Sequence, residues 1–267
     1  MHPLLFKIGP IPIHTYGFLI AIGFLCAVFV IRKLSVRSDL DPERILDFTF
    51  WLLLVGFLGA RILYVITRWD YFMSDPIEIF RVWEGGLVFF GGPLACIPFA
   101  VWYMRKHRLP IWKTMDVLIP GLVIAHMWGR FGCLSAGCCY GRPTSMPWGI
   151  KLYSDLVDRD MRGIPLHPTQ LYEATALGIL FVGLLRIFKN KKFDGQVVLS
   201  YFIAYPIIRS VVEIFRGDSI RGFVIPGVLS TSQFISIPVF VGAAIVLKMR
   251  LKAVVESGEL VAPKVAP

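Results

Sequence analysis

The chain has 267 residues, 56% of them hydrophobic and 17% charged, with a formal net charge of +10 and a mean hydropathy of +0.66. That balance excludes an ordinary soluble domain, in which about a quarter of the residues are charged. The basic surplus does not require nucleic acid, because most of it falls at the ends of apolar runs, where a membrane protein uses it for topology and for attraction to anionic lipid.

Residues 1–16 lack the basic, apolar and small-residue order of a cleavable signal, so the first span is expected to stay as an uncleaved anchor. Seven runs come close to the ~20 residues that cross a hydrocarbon core as helix: 16–31, 45–67, 87–104, 115–133, 171–187, 196–215 and 226–247. Tyr16, behind Ile13, His14 and Thr15, enters the first and reads as an interfacial aromatic anchor. It is also a candidate substrate contact. Arg61 lies inside the second run. Gly85, Gly86, Gly91, Gly92, Pro93 and Pro98 interrupt the third, which is expected either to cross or to form a broken, re-entrant element satisfied by protein or water.

The fourth run ends at Arg130 and leads into a polar stretch, 136–169, rich in glycine and proline. It is longer than ordinary connections, and such loops tend to be functional. The fifth run opens with His167-Pro168-Thr169-Gln170-Leu171-Tyr172-Glu173. Thr169 is available there as N-cap, and Glu173 falls in the first turn near the positive end of the helix dipole. His167, Gln170 and Tyr172 are surplus to capping and open to a site role. The sixth run ends in Arg209, Glu213 and Arg216. The expected architecture is an all-α integral membrane protein, a single polytopic domain over 1–253 with about seven transmembrane helices and an outer-face loop region at 136–169. A disordered cytoplasmic tail is expected over 254–267.

Orientation follows from lysine and arginine in the loops. Arg32, Lys33, Arg37, Arg44, Arg105, Lys106, Arg108, Lys113, Arg186, Lys189, Lys191, Lys192, Lys248, Arg250, Lys252 and Lys264 fall on one side, sixteen of the 28 basic residues. Only eight of the 18 acidic residues join them. That side is expected to be cytoplasmic, and an odd number of spans then puts the N-terminus outside and the C-terminus inside. The polar loop, the end of the fourth span and the charged end of the sixth converge on the outer face.

An ionised side chain at the bilayer centre costs about 2.5 kcal/mol or more on insertion scales, so it generally lines a polar cavity. Arg209, Glu213 and Arg216 stand at i, i+4 and i+7, one side of a continuous helix. One carboxylate cannot neutralise two guanidiniums, and the planar forks of arginine suit bidentate grip on phosphate. In His126-Met127-Trp128-Gly129-Arg130 a helix sets His126 one turn from Arg130 on the same side. A lone arginine near an interface snorkels; beside a second arginine cluster on the same face it points to an anion site. Gly129, Gly132, Gly137 and Gly141 let helices approach closely or a backbone fold around a headgroup.

Cys133, Cys138 and Cys139 are clustered, but C-x4-C-C is not a recognised zinc spacing and no histidine pair follows. No metal and no cofactor are expected. Buried thiols acting as small apolar residues are the default, Cys26 and Cys96 included. A disulfide from Cys133 to one of the vicinal pair is an option if the segment faces an oxidising compartment.

Gly129-Arg130-Phe131-Gly132, then Gly141-Arg142-Pro143-Thr144, then His167 to Glu173 and Arg209-Ser210-Val211-Val212-Glu213-Ile214-Phe215-Arg216 together resemble the bacterial phosphatidylglycerol–prolipoprotein diacylglyceryl transferase family. Gly59-Ala60-Arg61, Glu84-Gly85-Gly86 and Gly91-Gly92 add agreement, so the likeness runs from about His14 to Phe215. The resemblance implies an enzyme of the bacterial cytoplasmic (inner) membrane. It would transfer the diacylglyceryl group of phosphatidylglycerol to the lipobox cysteine thiol in a prolipoprotein signal peptide, leaving a thioether and glycerol 1-phosphate. On it, Arg130 holds the lipid headgroup and Arg209 stabilises the leaving phosphate. Glu213 with Arg216 orients the helix face. His126 is a candidate catalytic group, and Tyr16, Gly141, His167, Gln170 and Arg216 are candidate substrate contacts.

Three positions depart from the family pattern. Phe90 stands where a histidine base is suspected, Cys133 replaces an asparagine, and a downstream carboxylate is replaced within Cys138-Cys139. Either His126, His14 or His167 supplies the base, or arginine charges lower the acceptor thiol's pKa enough for an unassisted thiolate, or the activity has changed. The alternatives are thus a divergent paralogue that binds the lipid or uses another acceptor, and an anion transporter, for which no inverted repeat is visible.

Overall fold

The computed structural model describes residues 4–8, 11–81, 85–217, 222–225 and 229–257. Eight helices carry it: α1 (Thr15–Arg37), α2 (Pro42–Thr67), α3 (Trp69–Ser74), α4 (Gly91–Lys106), α5 (Ile111–Ala136), α6 (Thr169–Lys189), α7 (Gln196–Phe215) and α8 (Thr231–Ser257). Among the described residues all but α3 and α4 are long and apolar enough to cross a bilayer. Their outward faces expose Leu25, Phe29, Leu58, Ile62, Ile179, Ile207 and Ile245. Such surface is tolerable only against lipid or another protein.

The third predicted span is the one that differs. Residues 87–90 are not helical and α4 has 16 residues, about 24 Å at 1.5 Å per residue against ~30 Å of hydrocarbon. A full-length seventh helix is therefore not found among the described residues. At the other end, α8 starts at Thr231 and runs to Ser257, so 254–257 are helical, while 226–228 and 258–267 of the predicted last span and tail lie outside the described residues.

Among the described residues the connections form three antiparallel strand pairs: β1 (Leu4–Ile8) with β2 (Ile11–His14), β3 (Ile150–Lys151) with β4 (Pro165–Leu166), and β5 (Phe223–Ile225) with β6 (Leu229–Ser230). Stretch 136–169 is built around a small core of its own, in which Tyr140, Leu152, Val157 and Leu166 are buried together. The Tyr140 hydroxyl accepts from the Asp158 N–H at 3.1 Å.

The chain divides into two compact units, Met1–Val30 with Met115–Pro267, and Ile31–Thr114. In the second, Asp41 caps α2 by accepting from the Glu43 N–H, with Pro42 in the first helical position. Helices α2 and α4 meet at Gly59 and Gly91: a Cβ on Gly91 would fall 2.2 Å from the Gly59 carbonyl oxygen. Arg61 is buried, and its guanidinium is met by backbone. It donates to the carbonyls of Glu78 (2.6 Å), Ile79 (3.0 Å), Gly85 (2.7 Å) and Gly86 (3.0 Å), and lies over Tyr64 and Phe72. Carbonyl dipoles thus surround the intramembrane charge, which in turn ties down the connection before α4. Glu84 lies outside the described residues.

In the first unit, Ile119 and Val123 of α5, Leu177 and Leu184 of α6, and Val197, Val198 and Tyr201 of α7 form one buried core. Gly23 of α1 admits Trp128 and Ala125 of α5, and α8 packs on α7 around Leu199 and Ala243. Asp116, fully buried at the start of α5, fixes the far end of this bundle. It accepts from the N–H groups of Gly195, Val197 and Val198 at 2.9–3.0 Å and from Lys191 Nζ at 2.9 Å. A carboxylate from a neighbouring helix thus satisfies the first turn of α7, whose own N-cap, Gly195, has no side chain to offer.

Candidate active site

The polar centre of the first unit is a carboxylate read from sequence only as a helix-start device. Helix α6 begins at Thr169, and the Thr169 hydroxyl donates to the Cys139 carbonyl at 2.7 Å rather than capping. Glu173 therefore leaves the helix end and turns inward, with its side chain 2% exposed. Its Oε1 receives Arg130 Nη2 at 3.0 Å and the Tyr205 hydroxyl at 3.3 Å, and stands 3.7 Å from His126 Nε2. Its Oε2 stands 3.7 Å from Arg209 Nη1, while Arg209 Nη2 meets Glu213 Oε2 at 2.5 Å. Arg130 and Arg209, from helices α5 and α7, are bridged by one buried carboxylate. Tyr205, one turn before Arg209, is the other participant that sequence reasoning missed.

Arg209 and Glu213 share a face of α7 as expected, but Arg216 does not. The helix ends at Phe215, and Arg216 is extended, bridged through its backbone to Gly141 and buried. The turn is held by Arg142 N–H to the Phe215 carbonyl (2.8 Å) and Gly217 N–H to the Tyr140 carbonyl (3.3 Å), with the Arg142 guanidinium on the Ile214 carbonyl. Gly141 is taken up by these contacts: a Cβ there would fall 2.5 Å from His167 Cβ and 2.7 Å from the carbonyl oxygens of His167 and Phe215. Its smallness serves backbone packing.

Two of the candidate histidines are committed. His126 Nε2 accepts from Arg130 Nε at 3.3 Å, so its lone pair faces a guanidinium. His167 Nδ1 is 3.0 Å from the Tyr172 hydroxyl, which accepts from Trp148 Nε1 at 2.8 Å. His167 is thus held through Nδ1 by Tyr172, itself held by Trp148. His14 ends β2 and is exposed, and Phe90 stands at the N-terminus of α4 in the other unit. The Tyr16 ring lies over Gly132, 3.0 Å from where a Cβ would be.

Beyond Arg130 the helix stops in a tight turn. Gly137, with φ +79°, directs its N–H and that of Cys138 back to the Cys133 carbonyl. Gln170 is 1% exposed and its Nε2 donates to the Cys138 carbonyl at 2.7 Å. Hydrogen bonds from Cys133 and Cys138, then the charges of Arg216 and Arg130, hold the Cys139 thiol well below the ordinary thiol range. Cys138 is pushed up by its hydrogen bonds to the other two thiols and by burial. Among the described residues, Arg209 Nη1 and Gln170 Oε1 are buried without a hydrogen-bond partner.

An apolar cavity of about 590 Å³ opens on the same helix pair, lined by Met146, Trp148, His167, Tyr172, Ala176, Ile207, Ile208, Val211, Val212 and Phe215. Tyr172, Ile208 and Val212 thus face the cavity, and their neighbours Glu173, Arg209 and Glu213 face the charge cluster.

A family model described as prolipoprotein diacylglyceryl transferase matches residues 3–249. The chain belongs to this family. Among its curated relatives, phosphatidylglycerol–prolipoprotein diacylglyceryl transferase 2 of Clostridium perfringens strain 13 is 35% identical over 260 residues, 97% of this chain and all of the relative. The phosphatidylglycerol–prolipoprotein diacylglyceryl transferases of Finegoldia magna and Clostridium tetani are each 34% identical, over 97% and 89% of this chain and 100% and 93% of theirs. Within the diacylglyceryl transferase family frame, seven of the nine candidate site residues fall into two groups, while Tyr16 lies against Gly132 and His167 on Tyr172. Arg130, His126, Arg209 and Glu213 meet around Glu173, whereas Gly141, Gln170 and Arg216 build the turns that hold the cluster's rim.

Proposed function

We propose that the chain transfers the diacylglyceryl group of phosphatidylglycerol to the lipobox cysteine of prolipoprotein signal peptides. It would do so in the bacterial cytoplasmic membrane, with the N-terminus outside, the C-terminus inside and α4 as a short seventh crossing. The acceptor thiolate attacks the glycerol carbon that bears the phosphate. The C–S bond forms, the C–O bond breaks, and the electron pair leaves on the phosphate oxygen as glycerol 1-phosphate. Charge develops on that oxygen, and donors fixed beforehand stabilise it without reorganising.

One observation carries the assignment of roles: Arg209 Nη1 is buried without a hydrogen bond, its carboxylate neighbour Glu173 Oε2 standing 3.7 Å away and shared with Arg130. Buried donors are almost always satisfied, and a lipid phosphate oxygen is an acceptor of suitable charge. Glu173 and Glu213 balance Arg130 and Arg209, and Arg216 at the rim adds one formal positive charge, which suits a phosphodiester monoanion. Arg130 then grips the phosphate, Arg209 meets the charge that develops, and Glu173 and Glu213 aim the two guanidiniums. The apolar cavity beside the cluster on α6 and α7 supplies room for acyl chain. With His126 turned to Arg130 and His167 to Tyr172, thiolate formation rests on the positive field at the cluster rather than on either imidazole.

The test is incubation of the purified protein with labelled phosphatidylglycerol and a lipobox peptide carrying Cys or Ser. A diacylglyceryl mass gain on the Cys peptide alone is expected, lost in folded Arg130→Ala and Arg209→Ala. Full activity in both variants removes the assigned roles. Lipid consumption with another acceptor favours the paralogue, and anion flux in liposomes without lipid consumption favours the transporter.

A further inference from the structure

The sulfurs of Cys133, Cys138 and Cys139 all lie within 4.8 Å of one another, although the sequence spacing matches no familiar metal motif. The turn after α5 explains how. Gly137 reverses the chain onto the last helical turn, bringing Cys138 back over Cys133, and Cys139, itself at φ +61°, follows in a left-handed conformation. Such a conformation is uncommon for a residue with a Cβ and persists only where the surroundings fix it. Here Thr169 and Gln170 hold the carbonyls of Cys139 and Cys138 at 2.7 Å each. The three thiols are thus presented by a helix end and a clamped turn, and all are free and half-buried.

We propose that Cys133, Cys138 and Cys139 form a three-thiolate site for a soft monovalent cation of the copper(I) class. At the ~2.3 Å sulfur–metal distance usual for thiolates, three sulfurs around one ion stand about 4 Å apart, close to the spacing already present. Thiolates select copper(I), zinc and iron–sulfur clusters among the biological metals, and a cluster is held by four cysteines. Among the described residues no fourth cysteine, histidine or carboxylate joins the group, and zinc in structural sites takes four ligands. Three thiolates and one monovalent ion carry two negative charges, and Arg216 and Arg130 both act electrostatically on Cys139. The carbonyl clamps from α6 correspond to the outer hydrogen bonds that orient metal ligands. The site adjoins the proposed transfer site and shares the charges of Arg130 and Arg216 with it.

The experiment uses the full chain in detergent, reduced and desalted without oxygen, titrated with copper(I) against a chromophoric copper(I) chelator and with zinc(II) against a zinc indicator. Expected are one copper(I) per chain withheld from the chelator, X-ray absorption from three sulfurs, and a copper-dependent rise in the thermal midpoint. Cys133→Ser, Cys138→Ser and Cys139→Ser each lose at least ~10-fold in affinity, on the scale of lost metal-site contacts. Cys26→Ser/Cys96→Ser keeps it. Unfolding of the metal-free serine variants like wild type separates lost ligation from lost fold. Copper(I) uptake that survives loss of any one of the three, tighter one-to-one binding of zinc than of copper(I), or a disulfide among these cysteines in protein isolated without reductant each overturns the assignment.

Discussion

Glu173 is the residue on which the cluster depends, and Glu173→Gln isolates its charge while keeping its shape. At an effective dielectric constant of ~20, its pairs with Arg130 at 3.0 Å and Arg209 at 3.7 Å are each worth roughly 5 kcal/mol before desolvation is subtracted. Removing one partner of a buried ionic group costs about 3–5 kcal/mol net, because the remaining charges stay buried. The neutral amide would leave Arg130 and Arg209 repelling one another, with Glu213 paired to Arg209 as the remaining carboxylate. Two consequences are expected. Unfolding in detergent shifts by about 3–5 kcal/mol. Turnover of phosphatidylglycerol at low temperature, where the variant is folded, falls about 100-fold, the usual cost of displacing a positioning group by about an ångström. Glu173→Asp keeps the charge and should recover stability more than rate. If Glu173→Gln unfolds and turns over like wild type, Glu173 does not organise the arginines and the proposed site is wrong.

Asp116→Asn is expected to cost about 3–5 kcal/mol by stranding Lys191 and the first turn of α7, read as a shift in detergent unfolding. Its turnover when folded should be unchanged, since Arg130 stands fourteen residues along α5, about 21 Å away. Gly141→Ala must displace His167 or Phe215 backbone, and overpacking of this kind costs about 1–3 kcal/mol; calorimetry should show it, with a loss of turnover from the moved rim. Arg61→Lys replaces a fork that reaches four carbonyls by a single ammonium. Protease should then cut the 75–90 connection faster than in wild type while leaving α5 to α7 intact.

What the sequence determined by itself was whatever is local along the chain. Apolar runs long enough to cross a bilayer needed no tertiary information, and six of them are helices of matching position. Arginine in such runs marked the polar centre, because a charge there has few tolerable surroundings. The third run was ambiguous for a local reason as well, its glycines and prolines, and it became a short helix.

Partnership across helices was decided only by packing. Glu173 looks like an N-terminal helix charge until α6 starts at Thr169, one residue earlier than a threonine cap requires, and turns it toward Arg130. Arg216 looks helical by its spacing until the backbone leaves α7 to pair with Gly141. Asp116 carries no signal in sequence, since the N–H groups it satisfies are some eighty positions away. Cys133, Cys138 and Cys139 converge through one left-handed glycine and two side-chain clamps from another helix. Hydropathy is a sum over neighbours in sequence, whereas a buried charge or thiol is defined by neighbours in space.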